Sequence, residues 1–506
     1  MTVYLIYIVV LAAVAFHAAV RLRHELQMMQ QNSYRAERYG RWLRGDIFAP
    51  ERVTDLLMLG VATGFSATRW GLYAVGAVGL LALYKAVREL RTKYKKPLVF
   101  TPRATRLYVV ALVLTAAALA GVFLGAGVRM STLAAMGAVV LAPVILCVAL
   151  MLLMPVEAAV NRWYVNDARR ILRSMPRLTV IGITGSYGKT STKNYLYRIL
   201  SERFSVVMTP ASYNTTLGVV RTVREQLKPY TEVFIVEMGA KQAGDIAEIC
   251  ELVQPTIGII TAVGEQHLES FGSIENVQRT KFELIDALPA DGVAILNDDF
   301  EPIASRPVTN VSRVMRYTSR DVDPAPFETR LVGRHNLTNI YAAWLAGRAL
   351  GMSDSEMRYA VGQIEQVEHR LSIRRTAGGV TIIDDAFNSN PVGAAMAMEV
   401  LAGFGGATGA ADGRRIVVTP GMIELGARQE ELNRELGRQM AAACDIAVVV
   451  GEHNREAIVA GLSDGGFDAG AIHTAATFAD ASAWLGGVLR AGDTVLYEND
   501  LPDTFK

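Results

Sequence analysis

A glycine-rich stretch, Ile181–Thr192, carries residue types that are suited to binding phosphate groups. An apolar run precedes it and predicts a buried strand, and the apolar spacing of Lys193–Leu200 predicts a helix. A turn between a strand and a helix directs backbone N–H groups and a helix N-terminus at one anion. In the motif G-x-x-x-x-G-K-[ST], the lysine reaches the β- and γ-phosphates of a nucleotide and the hydroxyl binds Mg²⁺. Lys189 and Thr190 fill these positions, although Ile183 stands where the motif has its first glycine.

Polar side chains also follow two later strand-like runs. Glu237 ends the apolar run Val233–Val236, and His267 comes shortly after Ile257–Ile260. Because the carboxyl ends of parallel strands meet at one edge of a sheet, both side chains are expected beside the glycine-rich loop. A carboxylate at that place can bind Mg²⁺ directly or through water. Taken alone, Glu237 is more typical of an ordinary exposed strand end, and a lone histidine is more often structural than a ligand. The convergence of several strand ends on one edge is what favours a site.

A second group of polar residues lies in the later part of the chain. Asp384 and Asp385 follow the apolar run Val380–Ile383. Such a carboxylate pair is compatible with Mg²⁺ or ribose binding, and equally with an Asx turn before the next helix. Asn336 opens another predicted helix, where it is either an N-cap or a contact to a base or ribose. Lys281 lies in a charged run on a helix, which by itself is typical of a solvated surface.

The composition separates the chain into two parts. Of its 506 residues 51% are hydrophobic, and the excess is concentrated in the part before residue 160. This length predicts about three or four domains. The net charge of +2 gives no reason to expect a nucleic-acid partner. Cys147, Cys250 and Cys444 are isolated from one another, which indicates neither a disulfide framework nor a zinc site.

Three apolar runs in the first part predict membrane-spanning helices: Val3–Val20, Leu107–Val128 and Leu133–Pro155. The first run has no small-residue cleavage site and its arginines follow it, so we expect an anchor rather than a signal peptide. His17, within this run, is expected at a lipid interface or a helix contact. The alternative is a proton relay, for which the sequence shows no partner.

The segment Leu56–Val87 is compatible with one kinked helix or with a tight hairpin. The strongly basic segments Arg21–Asp55 and Lys85–Arg106 flank it. Positive charge marks the cytoplasmic side of a membrane. A hairpin puts both basic segments and the rest of the chain on that side, so the hairpin is preferred and gives five spans. We therefore predict a multi-pass protein with its N-terminus outside and its later domains in the cytoplasm.

From Leu178 onward, strand-like and helical runs alternate, which predicts a mainly parallel sheet with helices on both faces. The proline-rich stretch Ser305–Phe327 is expected to be irregular. After Gly333 the alternation resumes, which predicts a second α/β domain of Rossmann-like type. The predicted organisation is a membrane region (1–160), a connector (161–176), a nucleotide-binding α/β domain (177–328) and a second α/β domain (329–506).

Over residues 177–500 the chain resembles the Mur ligase family, and within it the D-alanyl-D-alanine-adding (MurF) type. The resemblance rests on short segments that follow one another in that family's order. They are Thr184–Ser191, Asn214 with Leu217 and Gly218, Glu237–Ala240, Gly264 with His267 and Leu268, Lys281–Glu283, Asn297 with Asp299, Gly333 with His335, Asn336 and Asn339, Asp384–Pro391, and Gly421–Gly426.

The resemblance implies an ATP-dependent amide ligase with a P-loop central domain and a Rossmann-like C-terminal domain. In such an enzyme a substrate carboxylate attacks the γ-phosphate of ATP to form an acyl phosphate, and an amine then displaces phosphate. The resemblance also implies two Mg²⁺ ions, one of them served by Thr190 and Glu237. His267 and Lys281 would serve the other, with Lys281 as a carbamate, because a plain ammonium beside Mg²⁺ would be repelled.

The same resemblance implies a role for each matching residue. The expected catalytic residues are Lys189, Lys281 and His267. The expected nucleotide contacts are Thr184, Gly185, Ser186, Gly188, Lys189, Thr190, Ser191, Asn297, Asn336, Arg370 and Asp385. The expected substrate contacts are Asn214, Thr215, Asn388 and Asn390. Asn297 and Asn336 match contacts to adenine, whereas Arg370 and Asp385 match phosphate and ribose contacts that form as the two domains close.

Three features depart from the family pattern. The soluble N-terminal domain that binds the uridine nucleotide is absent, and the predicted membrane helices occupy its place. The stretch Tyr497–Asp503 stands where the resembling ligases carry a Lys-Gly-Ser signature, so the pocket for the amino substrate is expected to differ. Phe387 replaces a tyrosine, which removes one hydroxyl.

The expected function is a ligase of peptidoglycan-precursor synthesis, anchored in the bacterial inner membrane. It would join an amino acid or a D-alanyl-D-alanine-like dipeptide to a small-molecule or lipid-linked carboxylate acceptor, beside the lipid bilayer and other envelope enzymes. The alternatives are an anchored but otherwise ordinary D-alanyl-D-alanine-adding ligase, a polyglutamate-type polymer ligase, a membrane transport or assembly ATPase, and a catalytically silent scaffold. Few ionisable residues in the spans argue against transport.

Overall fold

The computed structural model describes residues 2–32, 34–66, 68–94, 96–211, 213–266, 268–322, 329, 331–387, 389–404 and 413–500. The chain forms two compact units, one that extends to Asn161 and one that covers Arg162–Asp500. The first unit is helical, and the second contains two β-sheets.

The first unit is built from long apolar helices. The helices are α1 (Thr2–Gln31), α2 (Ala36–Asp46), α3 (Pro50–Phe65), α4 (Gly71–Arg91), α5 (Pro102–Val140) and α6 (Ala142–Arg173), the last of which continues into the second unit. In the described part of the chain, α1, α4, α5 and α6 are long and apolar enough to cross a membrane. Large apolar side chains cover their surface; Leu80 is 73% exposed and Leu124 is 86% exposed. An apolar surface of this extent is typical of a segment that contacts lipid or another protein.

Two predictions about these helices can be compared with the structure. The segment 56–87 forms two helices that contact each other, as the hairpin requires. However, α3 has only 16 residues, fewer than the roughly 20 that a span needs, so a fifth span remains a prediction. The break expected between the spans at 107–128 and 133–155 lies at Gly127, where a φ of 77° interrupts α5.

The few ionisable residues of these helices form a buried cluster with Asp55. His17, Asp55 and Lys85 come from three different helices and are all buried. The His17 Nε2 lies 3.1 Å from Asp55 Oδ1, and Lys85 pairs with the same oxygen. Lys85 also donates a hydrogen bond of 2.8 Å to the backbone oxygen of Glu51. The structure therefore supplies the partner of His17 that the sequence does not show.

The first sheet of the second unit confirms the predicted alternation of strands and helices. Its elements are β1 (Thr179–Thr184), α7 (Lys189–Leu200), β2 (Val206–Met208), α8 (Thr216–Gln226), β3 (Val233–Glu237), α9 (Asp245–Val253), β4 (Ile257–Ile260), α10 (Leu268–Phe271), α11 (Ile274–Asp286), β5 (Val293–Asn297), α12 (Glu301–Ala304), β6 (Arg313–Tyr317), α13 (Arg334–Ala349) and α14 (Asp354–Gly362). Neighbouring strands in the order β2-β3-β1-β4-β5-β6 are all parallel. Strand β6 lies inside the stretch that was expected to be irregular. It is an edge strand with half-exposed side chains, so it has little apolar signal.

Hydrophobic cores cover both faces of this sheet. One core joins α8, α9 and α11 to the sheet, and the residues at the end of α6, including Leu172, pack against it. The other core contains α7 together with Leu345 of α13 and Met357 of α14. The core of the first sheet therefore extends past the predicted boundary at 328/329, because α13 and α14 pack on α7.

The second sheet is mixed and covers the rest of the chain. Its elements are β7 (Ser372–Arg375), β8 (Thr381–Asp385), α15 (Pro391–Ala402), β9 (Arg415–Thr419), α16 (Gln429–Ala443), β10 (Ile446–Val450), α17 (Arg455–Asp464), β11 (Ile472–Ala475), α18 (Phe478–Val488) and β12 (Thr494–Glu498). The strand order is β11-β10-β9-β12-β8-β7, and only the edge pair β7–β8 is antiparallel among the described strands. This arrangement agrees with the predicted Rossmann-like α/β domain.

Candidate active site

The glycine-rich loop joins β1 to α7 at the carboxyl edge of the first sheet. Gly188 is the N-cap of α7 and has a φ of 77°, a left-handed conformation that favours glycine. A Cβ at this position would lie 2.6 Å from the side-chain oxygen of Asn339. At Gly185 a Cβ would lie 2.2 Å from the hydroxyl of Thr261. Both glycines are therefore required, and they put the N-terminus of α7 where an anion can bind.

Lys189 is the first residue of α7, and its side chain folds back over the loop. Its Nζ donates hydrogen bonds to the backbone oxygens of Gly185, at 2.6 Å, and Ser186, at 3.2 Å. Burial lowers the pKa of Lys189 to about 8; the charge of Glu237 opposes this shift and that of Arg370 adds to it. Lys189 forms no ion pair among the described residues, so its charge is available to a phosphate.

Glu237 ends β3 beside this loop and is almost fully buried. Its Oε2 lies 3.1 Å from the hydroxyl of Thr190 and 3.0 Å from Nζ of Lys193. The amide of Asn214 donates to its Oε1 at 3.1 Å. Burial alone would raise the pKa of Glu237, but the charges of Lys193 and Lys189 hold it below its usual value. Glu237 is therefore an ionised carboxylate beside a hydroxyl.

Lys281, on α11, is buried. Its Nζ lies 5.8 Å from the centroid of the Phe271 ring, and it has no hydrogen bond or ion pair among the described residues. Burial, followed by the charge of Lys189, lowers the pKa of Lys281 to about 7. A substantial fraction of this amine is therefore neutral near neutral pH, and only a neutral amine can react with CO₂ to form a carbamate.

Asp385 ends β8 of the second sheet, and Arg370 lies just before β7. The guanidinium carbon of Arg370 lies 4.3 Å from the centroid of the Phe387 ring, and the guanidinium has no ion pair among the described residues. Burial lowers the pKa of Arg370, opposed by the charges of Asp385 and Glu237. The backbone N–H of Leu371 donates to Asp385 Oδ1 at 3.0 Å. The charge of Arg370 therefore interacts with a carboxylate from each sheet, Glu237 of the first and Asp385 of the second. At this position the guanidinium can bind a phosphate.

Several other predicted contacts are held by the protein itself. The Asn297 amide donates to the backbone oxygen of Thr261 at 3.0 Å. Asn336 accepts a hydrogen bond from the Tyr195 hydroxyl at 2.8 Å and donates to the backbone oxygen of Val332 at 2.7 Å. Its interpretation as an N-cap is wrong, because α13 starts at Arg334 with Gly333 as its N-cap. These two asparagines support the shape of the site, and their contacts to adenine remain predictions.

Two predicted substrate contacts are helix N-caps. The Thr215 hydroxyl accepts from the backbone N–H of Gly218 at the start of α8, and Asn390 accepts from that of Gly393 at the start of α15. Three further residues of the glycine-rich loop were predicted to contact the nucleotide. The Thr184 hydroxyl donates to the backbone oxygen of Met238, and the Ser186 hydroxyl donates to that of Gly264. Ser191 is buried in the first turn of α7. His267 and Asn388 lie outside the described residues.

The structure adds contacts that the sequence did not predict. Lys193 pairs with Glu237; its spacing of four residues from Lys189 on one helix face was the available signal. Glu498, at the end of β12, accepts a hydrogen bond from the Ser389 hydroxyl. No local signal marked the ion pair between Glu265 of the first sheet and Arg428 near the second, because it joins residues far apart in the chain.

The side chains present fit one Mg²⁺ ion next to bound phosphates. The Thr190 hydroxyl and the Glu237 carboxylate are adjacent oxygen donors, which is the ligand type that Mg²⁺ prefers. Among the described residues no cluster of three or more His, Cys, Asp or Glu side chains could hold a metal alone.

Comparison with known proteins agrees with this geometry. The Mur ligase middle domain matches residues 183–322, and the Mur ligase, glutamate ligase domain matches residues 369–497. The UDP-N-acetylmuramoyl-tripeptide–D-alanyl-D-alanine ligase of Mycobacterium bovis is 34% identical over 359 residues, which cover 63% of this chain and 70% of that protein. The chain belongs to the Mur ligase family. Mur ligases are ATP-dependent enzymes that join an acid to an amino acid, and this protein is an enzyme of that class.

Other Mur ligases show the same relationship. The Escherichia coli enzyme of the same name is 27% identical and the match covers 60% of this chain and 73% of that protein. The crystal structure of the MurF ligase of Thermotoga maritima in complex with ADP has a TM-score of 0.58 at 26% identity, covering 67% of this chain and 80% of that one. Both Mur ligase domain matches begin after residue 182 of this chain.

Proposed function

We propose that this Mur ligase is a membrane-anchored enzyme of peptidoglycan-precursor synthesis. It adds an amino acid or a short peptide to a carboxylate acceptor through an acyl phosphate. The observation that supports this most directly is that buried Lys281 and half-buried Lys189 and Arg370 lie near one another without an ion pair among the described residues. Uncompensated buried cations are costly, and ATP and an acyl phosphate supply the missing negative charge. Relatives named for adding D-alanyl-D-alanine to a muramoyl tripeptide support the same reaction type.

The site chemistry follows from these charges. In the first step an acceptor carboxylate oxygen bonds to the γ-phosphorus of ATP, the bond to the bridging oxygen breaks, and ADP leaves. This transfer between two anions depends on charge neutralisation and in-line positioning, which Lys189 and Arg370 provide. In the second step a neutral amine attacks the acyl carbon, the amide forms, and phosphate leaves as the amine loses its proton. Closure of the two α/β domains would exclude water from the acyl phosphate.

The cofactor part of the proposal includes two Mg²⁺ ions. Thr190 and Glu237 would hold one of them, and bound Mg²⁺ neutralises the charge that develops on the β- and γ-phosphates. His267 and a carbamylated Lys281 would hold the other. The lowered pKa of Lys281 supports carbamylation, because the neutral amine is the reactive form.

The membrane part of the proposal rests on the N-terminal helices. Four of the described helices are long and apolar enough to cross a bilayer. We propose that they anchor the enzyme in the bacterial inner membrane, with the N-terminus outside and the catalytic domains in the cytoplasm. They would take the place of the domain that binds a uridine nucleotide, so that a lipid-linked acceptor, or one delivered by a neighbouring envelope enzyme, can be used.

The test is ATP-to-ADP turnover by the full chain purified in detergent. UDP-muramoyl tripeptide, a lipid-linked muramoyl peptide and polyglutamate are offered as acceptors, each with single amino acids or D-alanyl-D-alanine as donors. Turnover that requires both an acceptor and a donor supports the ligase, and the lipid-linked acceptor is expected to be the best. Preference for the soluble UDP-linked acceptor would overturn the membrane part alone. ATP hydrolysis that needs no acceptor and is lost in Lys189→Ala would favour a membrane ATPase instead.

A further inference from the structure

The backbone on both sides of Arg370 is left-handed. His369 has a φ of 57° and Leu371 has a φ of 52°. Histidine tolerates this conformation better than most residues, whereas for leucine it is a true outlier, because the Cβ crowds the following carbonyl oxygen. Strained backbone of this kind persists only where the surrounding contacts fix it. Contacts that hold this form are therefore expected on both sides of Arg370.

Two consecutive carboxylates at the end of β8 make those contacts. The Nδ1 of His369 lies 2.9 Å from Asp384 Oδ2, and the backbone N–H of Leu371 donates to Asp385 Oδ1 at 3.0 Å. The Leu371 side chain is also buried in the core of the second sheet. The residue before Arg370 and the residue after it are thus tied to the same strand end.

The loop after β8 also holds the guanidinium of Arg370. The guanidinium carbon lies 4.3 Å from the centroid of the Phe387 ring, two residues after Asp385, and the backbone N–H of Arg370 donates to the backbone oxygen of Val367 at 3.1 Å. The charge of Arg370 adds to the lowering of the Lys189 pKa, which puts the guanidinium near the glycine-rich loop. A cation whose direction is fixed before the ligand arrives costs less to order on binding.

The contact between His369 and Asp384 lies at the surface. The side chain of His369 is 46% exposed and that of Asp384 is 20% exposed. Such ion pairs contribute little to the free energy of unfolding. The other Asp384 oxygen, Oδ1, accepts from the backbone N–H of Ala386 at 3.2 Å, so both carboxylate oxygens are used within the protein. The contact is therefore suited to orienting the backbone rather than to stabilising the fold.

We propose that His369 and Asp384 are positioning residues, which hold Arg370 in the left-handed backbone that directs its guanidinium to the phosphates of ATP. The inference rests on the proposed function, in which Arg370 binds a phosphate. Neither positioning residue is required to touch ATP. His369 lies on the segment between α14 and β7, which joins the core of the first sheet to the second sheet. When its contact is lost, the backbone can relax and the guanidinium is no longer held toward the glycine-rich loop.

The test is equilibrium binding of a non-hydrolysable ATP analogue with Mg²⁺ to the full chain in detergent, measured by isothermal titration calorimetry. Arg370→Ala removes a charge-assisted hydrogen bond, so the affinity should fall about tenfold to a hundredfold. His369→Gly removes the side-chain contact while glycine still accepts the left-handed backbone. Its affinity should fall about threefold to tenfold, because the guanidinium must then be ordered on binding. His369→Asn should keep most of the affinity, because asparagine tolerates a positive φ and its amide nitrogen takes the place of Nδ1.

Further variants separate positioning from a purely structural role. In an Arg370→Ala background, His369→Gly should have no additional effect, because no guanidinium remains to be positioned. Asp384→Ala should lower the affinity as His369→Gly does, and the double variant should lower it no further. Glu368→Ala is the matched control, since this carboxylate lies 3.7 Å from His369 Nε2 and is 86% exposed, and it should bind as wild type does. The midpoint of thermal unfolding of His369→Gly should stay within about 2 °C of wild type.

The outcomes separate this inference from the proposed function. Wild-type affinity in His369→Gly, with the loss in Arg370→Ala retained, would overturn the inference and leave the phosphate role of Arg370 intact. Wild-type affinity in Arg370→Ala would show that the phosphate assignment itself is wrong, and the inference would fail with it. An equal loss from His369→Gly with and without Arg370 would give His369 an independent role and would also overturn it. A loss that His369→Asn restores, and that disappears without Arg370, would support the inference even if no acceptor gives turnover.

Discussion

Buried charged side chains have different surroundings in the two units of the molecule. In the N-terminal helices Asp55 lies 3.1 Å from His17 and also pairs with Lys85. Elsewhere in the same helices, the Glu25 carboxylate lies 2.9 Å from the guanidinium of Arg52. At the candidate active site most of the buried charges are not matched in this way. Lys281 and Glu498 are buried and Arg370 is half-buried, and none of the three has an ion pair among the described residues.

This difference separates structural charges from charges that await a ligand. A buried ion pair gives little net stability, but removing one partner is strongly destabilising because the other charge is left alone. A buried charge without a partner is unfavourable before the ligand binds, and a ligand of opposite charge removes that cost. We therefore expect variants of the helix cluster to change stability, and variants of the site to change activity.

Lys189→Ala is expected to have the largest effect on activity. Loss of a preorganised positive charge at the γ-phosphate lowers turnover by about a thousandfold. The measurement is acceptor-dependent ADP release under saturating ATP, with Lys228→Ala as the control, because Lys228 is an exposed lysine of the same unit. If both variants lost the same activity, the assignment of Lys189 to the phosphates would be wrong.

Asp55→Asn tests the other side of the comparison. It leaves the Lys85 ammonium buried without its carboxylate, so the free energy of unfolding should fall by about 3 kcal/mol. Thermal unfolding in detergent measures this, and turnover per folded molecule should not change. The double variant Asp55→Asn, Lys85→Met removes both charges and should recover most of the loss. The control is Glu37→Gln, at an exposed position on α2. An equal loss of stability in that variant would contradict the structural role of Asp55.

Lys281→Met is expected to lower turnover by about a hundredfold, as loss of a metal-supporting group does. It should also raise the free energy of unfolding by about 1 kcal/mol, because it removes a buried amine that has no partner. The pKa of Lys281 falls from its ordinary value near 10.5 to about 7 on folding. The unfolded chain therefore binds more protons between these values, and wild-type stability rises with pH across this window. The stability advantage of the methionine should shrink as pH rises, as denaturant unfolding at pH 7 and pH 9 would reveal. A constant difference would contradict the lowered pKa.

The parts of the fold that were predictable are those with strong local patterns. The run Ile257–Ile260 has no polar side chain and forms a strand with the predicted bounds. Strand β6 was not predicted, because an edge strand is half exposed and has little apolar signal. The packing of α13 and α14 on the first sheet could not be predicted, because it depends on tertiary contacts with α7 rather than on their own sequence.

For the site, strand-end position and family resemblance identified Lys189, Glu237 and Arg370, and the structure brings them near one another. Spacing could not show that Asn336 is fixed by Tyr195, since these residues are distant in the chain. The partner of His17 was hidden for the same reason. Charges that compensate each other over long sequence separations have no signature in a single sequence, whereas glycine-rich loops and strand ends do.

The weakest effect on activity is expected at an exposed ion pair between the loop after β4 and the segment before α16. Arg428 pairs with Glu265 in the loop after β4 and with Glu431 on its own side, 2.7 Å away. Exposed ion pairs contribute little because water screens them, so Arg428→Ala should change the KM for ATP by only about twofold and leave kcat unchanged. Arg438→Ala, which loses a pair within the second domain only, is the matched control. A tenfold loss of kcat in Arg428→Ala alone would mean that this contact controls how the two domains close over ATP, and that a charge outside the buried cluster belongs with the functional charges.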